Sequence, residues 1–211
     1  MTVKILSSDG NKKSADKVKY VVGIHCAPVL LGLKTANTIS VCKTDVGLLL
    51  GIISETGLFA LKLYECKEKY ILFVYREDLI HRHLEKKDVR LFLSDYGYFR
   101  MMNTQKCLYK LVQRFQEYAR KEREFPHELG VFLQYPIEDM KGFICNNGKN
   151  YLSCGYWKVY QNEEYAKEAF ENYDIAKKTV AYYLEQGYML CDIVRSTYYD
   201  EVTNCNNQRF H

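Results

Sequence analysis

Two short apolar runs, Leu58–Tyr64 and Tyr70–Tyr75, flank the polar stretch Glu65–Lys69, and no other feature constrains the fold of this chain as tightly. Runs of this length, rich in aromatic and branched residues and joined by a few polar ones, read as the paired strands of an antiparallel hairpin. An isolated hairpin is marginal in water, so its apolar face needs a cover. Two further segments read as strands. One is Thr38–Lys43; the other is Leu152–Tyr160, which carries the only tryptophan, Trp157, and alternates as a half-buried strand does. The second is expected to join the 58–75 hairpin in one antiparallel sheet.

The cover comes from segments with helical periodicity. One runs from Ala15 through Val18, Val21 and Val22 toward His25, limited by Pro28. Asp45 stands before an apolar run over 46–55, and Asp78–Leu93 reads as one or two short helices. Thr104 is the expected cap of a helix whose stripe is Leu108, Leu111, Val112, Phe115 and Tyr118. Pro126 and Pro136 each precede acidic residues, the pattern of a helix start, and predict helices over 126–134 and 137–146, the second closed by Asn147-Gly148. Asn162 is the expected cap of a long helix to Gln186, with Tyr165, Ala169, Tyr173, Ala176, Val180 and Leu184 inward. The expectation is an α+β protein: a small, mostly antiparallel sheet of about four strands with helices on one side. A single domain over 15–199 follows a loose segment, 1–14, and precedes a polar tail, 200–211.

At 211 residues the chain can bury roughly 70% of its unfolded surface. Eight cysteines occur without any Cys-x-x-Cys pair, too sparse for a disulfide scaffold and wrongly spaced for a zinc ribbon. They read as small buried hydrophobes of a reducing compartment. The N-terminus has no signal-peptide core, and the longest apolar run, Val46–Ile53, is far short of the ~20 residues that span a bilayer. A cytoplasmic protein without a membrane partner is expected. Residues 100–124 carry seven Lys/Arg against three Glu, while 163–201 carry nine Asp/Glu against four Lys/Arg. A basic helix over 104–124 is one way to hold nucleic acid, but the acidic segment weakens that reading and favours a solvated helix face. The 19 tyrosines read as a half-buried layer with wet hydroxyls, or, more sharply, as the wall of a flat-cofactor pocket.

Three segments carry candidate chemistry. His25-Cys26-Ala27-Pro28 places an imidazole beside a thiol at a proline-bearing helix break. Cys26 is a candidate nucleophile or ligand, although Ala27 intervenes where a haem-type Cys-Pro would need none. Phe125-Pro126-His127-Glu128 offers His127 and Glu128 as acid and base; adjacent helical residues diverge by about 100°, so they would not pair with each other. Asn147-Gly148-Lys149-Asn150 and Ser153-Cys154-Gly155-Tyr156-Trp157-Lys158 suggest a tight turn and a close backbone approach at Gly155. His81 and His83 fall on a helix and are not expected to form a metal pair. No Rossmann glycine pattern, P-loop, nucleophile elbow, kinase set or deaminase signature occurs.

At these same segments the chain resembles a known family. The blocks HCAPVLLGLKTAN, YILFVYR, FPHELGVFLQYPIEDMKGFI and NGKNYLSCGYWKVY, with the helix that follows, are similar to domain of unknown function 3793, over about residues 20–185. The resemblance implies a bacterial cytoplasmic protein of anaerobic Firmicutes, with a tilt toward redox or iron metabolism. It carries over no activity, cofactor or catalytic residue.

The leading expectation is an accessory protein that binds a small ligand, a metal or a cofactor. Its pocket would be framed by the segments His25–Lys34, Phe125–Gly130 and Gly155–Tyr160, with His25, Lys34, Tyr135, Trp157, Lys158 and Tyr160 as the ligand-binding residues. The alternative is a thiol-dependent enzyme that brings Cys26 and His127 to one cleft, with Glu128 beside them; a nucleic-acid binder is the third reading. The sequence specifies neither a cofactor, a metal nor an oligomeric state.

Overall fold

The computed structural model describes residues 11–98 and 103–196. Three strands, β1 (Ala36–Cys42), β2 (Phe59–Cys66) and β3 (Lys69–Tyr75), form an antiparallel sheet in the order β1-β3-β2. The β2–β3 hairpin turns at Lys67, whose φ of 49° is the left-handed conformation that such a tight turn requires. A register shift between Lys62 and Tyr64 bulges β2 and turns Tyr64 to the same side as Leu61 and Leu63.

Helices cover both faces of this sheet, not one. β3 alternates across it: Leu72 and Val74 enter one core, Phe73 and Tyr75 the other. The first core lies under α1 (Asn11–Leu30), α2 (Val46–Glu55), α8 (Glu163–Glu185) and a helical run over 190–196. The second lies under α3 (Glu77–Leu84), α4 (Lys87–Ser94), α5 (Thr104–Ala119), α6 (Leu129–Phe132) and α7 (Ile137–Cys145). The fold is therefore α+β with small antiparallel sheets.

Several boundaries differ from the sequence expectation. α1 begins at Asn11, so 11–14 are helical; residues 1–10 and 197–211, expected to be loose, lie outside the described residues. Pro28 sits inside the last turn of α1, where its carbonyl accepts from Leu33 N and Lys34 N, and the turn closes at Gly32 with φ 76°. Asn103, not Thr104, caps α5: its side chain accepts from Lys106 N. The helix expected over 126–134 shrinks to α6, because Gln134 is left-handed and Tyr135 precedes a proline, which disfavours the helical region.

Leu152–Tyr160 is not one strand and does not join the main sheet. It folds back on itself as β4 (Ser153–Cys154) and β5 (Lys158–Val159), a separate two-stranded ladder. Gly155 N donates to Trp157 O across the turn, and a Cβ at Gly155 would collide with the Phe170 ring of α8. The close approach at Gly155 is as expected, but it serves a turn seated on a helix.

Candidate functional site

A third, small core joins this hairpin to α8 and holds Trp157, Val159, Ala166 and Tyr173. Asp139, in the first turn of α7, organises it. One carboxylate oxygen accepts from Trp157 Nε1 at 2.7 Å, and the other from the backbone N–H groups of Tyr160 at 2.7 Å and Gln161 at 2.9 Å. Three donors satisfy a carboxylate that is otherwise buried, and they pin the indole. The Trp157 ring then meets Tyr135 at 5.4 Å and Phe170 at 4.5 Å, the latter edge-on.

Lys34 lies against two rings of this aromatic group. Its side chain is buried, with Nζ 5.3 Å from the Tyr135 ring centre and 5.8 Å from that of Tyr173. Its Nζ donates to Asn37 Oδ1 at 3.4 Å. Asn37 also donates to His25 O at 2.7 Å, and His25 Nε2 donates to Thr38 O at 3.0 Å, so the end of α1 is laced to β1. Burial lowers the Lys34 amine to about 7, only partly opposed by Cys26, so the ammonium is disfavoured. Burial likewise lowers His25, partly offset by its bond to Thr38.

Tyr135 also lines a cleft of about 470 Å³ between α4 and the bend that runs from Gln134 to Lys141. His83, Val89, Phe92, Gln134, Tyr135 and Ile137 are among its lining residues, with Lys86, Asp88, Asp95, Glu138 and Lys141 also present. The volume suits a small molecule, and the lining mixes apolar walls with a few polar groups, as ligand sites do.

The structure brings together part of the sequence-derived site. His25, Lys34, Tyr135 and Trp157 form one chain of contacts through Asn37, and Tyr160 joins it by its backbone bond to Asp139. Lys158 turns elsewhere: its Nζ donates to Gly148 O at 2.6 Å and lies over the Tyr151 ring.

The three residues of the expected catalytic group have different surroundings. Cys26 is fully buried in the first core, where burial pushes its thiol up to about 12 despite the nearby Lys34 amine; this is the reverse of an activated thiolate. His127 packs between the rings of Phe125 and Phe143, at 5.5 and 5.4 Å. Glu128 is wholly buried beneath it, accepting from Arg114 Nε at 2.8 Å and from the Tyr98 hydroxyl at 3.4 Å. The basic stretch is also occupied internally. Arg114 pairs with Glu128, Arg120 with Glu122 and Arg123 with Glu117, while Lys110 lies over the Tyr98 ring.

Sequence reasoning missed Asp139, Gln134, Asn37 and the cleft-lining role of His83. Asp139 follows Pro136 in a helix first turn, where an acidic residue already has a local explanation, and nothing local marks its long-range donors. Among the described residues no group of three His, Cys, Asp or Glu side chains is placed to hold a metal ion, and no helix is long and apolar enough to cross a membrane.

A family model for proteins of unknown function, DUF3793, matches residues 22–194. No curated protein and no solved structure matches the chain.

Proposed function

The chain belongs to the DUF3793 family of proteins of unknown function, and from that premise we propose that it is an accessory protein that binds a small ligand in the cleft between α4 and the 134–141 bend. Its setting would be the bacterial redox or iron metabolism toward which the family resemblance tilts. The observation that carries the reading is the cleft itself: about 470 Å³, with apolar walls and polar groups from α3, α4 and α7. Tyr135 supports it, since one side chain borders the cleft and also contacts the Lys34 and Trp157 group.

The thiol-enzyme reading ranks below this one. A nucleophilic thiolate needs partial exposure and a lowered pKa, whereas Cys26 has neither. The test is a screen of small polar fragments against isotope-labelled protein, read by backbone amide shifts. Binding molecules are expected to shift residues 86–95 and 134–141 together. Fragments that bind elsewhere only, or none at all, would count against the cleft.

A further inference from the structure

Two polar side chains bordering the cleft have their hydrogen-bonding sense fixed by partners that allow only one. His83, on α3, makes a 2.8 Å contact from Nε2 to Val131 O. A carbonyl only accepts, so Nε2 carries the proton and Nδ1 is left with a lone pair. His83 is 7% exposed, yet Nδ1 has no hydrogen-bond partner among the described residues. Burial lowers the pKa of this imidazole, which keeps the acceptor free of a second proton at neutral pH.

Gln134 is fixed in the same way. Thr35 N–H only donates, and it meets Gln134 Oε1 at 2.9 Å, so the carbonyl end of the amide faces β1 and the NH2 end remains for other partners. Gln134 sits at φ 63° between α6 and Pro136, which sets its side chain at the cleft wall. The residues that border the cleft therefore include one set acceptor, covered in the protein as it stands, and one set donor.

The remaining lining narrows the ligand further. Val89, Phe92, Pro136, Ile137 and the Tyr135 ring supply apolar and aromatic surface. The charged residues are of both signs, and Glu138 pairs with Lys141 at 2.8 Å, so no single-sign field selects an ion.

We propose that the cleft takes an uncharged, planar heterocycle with a lactam edge, its ring N–H donating to His83 Nδ1 and its neighbouring C=O accepting from the Gln134 amide. This rests on the cleft being the ligand site. Nδ1 is covered by its surroundings, so the edge reaches it by parting the cleft wall. An orphaned buried acceptor is costly, and an incoming N–H removes that cost, whereas a ligand without the donor leaves it in place.

The probes are lumazine, a fluorescent pteridinedione with two lactam N–H groups, and 1,3-dimethyllumazine, which lacks both. Titrated into the full chain at neutral pH, lumazine should bind saturably, and the dimethyl compound more weakly by about tenfold or more. His83→Phe should abolish that preference. Should that variant fail to fold, the 15N resonance of Nδ1 in the unaltered protein is read instead; it should move with lumazine and stay with the dimethyl compound. Equal binding of the two, no binding of lumazine, or an unmoved Nδ1 resonance overturns the lactam assignment. If fragments map to the cleft while lumazine fails, the lactam edge is wrong and the cleft stands; if no fragment maps there, both fall.

Discussion

Trp157 is 6% exposed, donates to a buried carboxylate and packs on two aromatic rings. Trp157→Ala should therefore destabilise by about 3–5 kcal/mol, the range for deleting a buried large aromatic. Urea denaturation followed by far-UV circular dichroism checks it; a loss under about 1 kcal/mol would mean that the ring is not load-carrying. Asp139→Ala should cost about 3 kcal/mol or more, since three donors lose their acceptor at once. Because no other tryptophan is present, its fluorescence should also shift to the red as the indole loosens. The burial of Trp157 was legible from a lone large aromatic beside Gly155. Its partner was not, because the donors that Asp139 satisfies are some twenty residues downstream, and only the fold brings them to it. Cys26 shows the opposite difficulty. A thiol beside an imidazole reads as chemistry in the sequence, but the helix turns that thiol into the core, where its proton is held.

At the scale of elements, the hairpin 59–75 and the long helix α8 were legible because their signals are local: period-two apolar runs with a short polar link, and an Asn before a 3.6-period stripe. The β4–β5 hairpin was not, since a nine-residue alternating segment looks the same whether it runs straight or turns. What decides is the Phe170 ring on a different element, against which Gly155 is packed. The stripe of α8 was right at Tyr173, Ala176 and Val180 but not at Tyr165, which is exposed, because Ala166, one position on, takes the inward place in the first turn. Asn162 supports a prediction here. It adopts φ 39° and its side chain accepts from Tyr165 N at 3.1 Å. Asn162→Ala should lose both the cap and a tolerated left-handed residue, at about 1–2 kcal/mol, whereas Asn162→Gly should lose only a few tenths. Thermal melts of the two variants separate these contributions. Equal losses would mean that the left-handed backbone plays no part.

For the molecule as a whole, amphipathic helices were legible but their distribution over the sheet was not. Periodicity shows that a helix has an apolar face without showing which sheet face receives it; β3, apolar on both sides, was the available hint. Closing the sheet between two helical layers is also what buries Lys34, and it makes global stability depend on pH in a way that can be measured. The amine lies near 7 in the folded protein and near 10.4 in an unfolded chain. Between those values the unfolded state binds the Lys34 proton more tightly, so the contribution of this group to stability rises with pH through that window; below about 7 both states are protonated and the penalty is complete. The difference from a variant without the amine isolates this window from the neighbouring groups. Burial holds Cys26 up at about 12, Tyr135 up to about 12 and Tyr173 above its usual range, so they stay neutral in the folded protein and their unfolded-state ionisation lowers stability at the alkaline end in the natural protein and in a Lys34 variant alike. Lys34→Met keeps the stem and removes the proton site. It should be more stable than the natural protein by an amount on the order of 4 kcal/mol at pH 6, with the gap closing toward zero by about pH 10. Denaturant midpoints taken across that range for both proteins provide the measurement. A gap that stays constant with pH would mean that the Lys34 ammonium is solvated in the folded protein, and would remove the buried amine from the aromatic group beside the cleft.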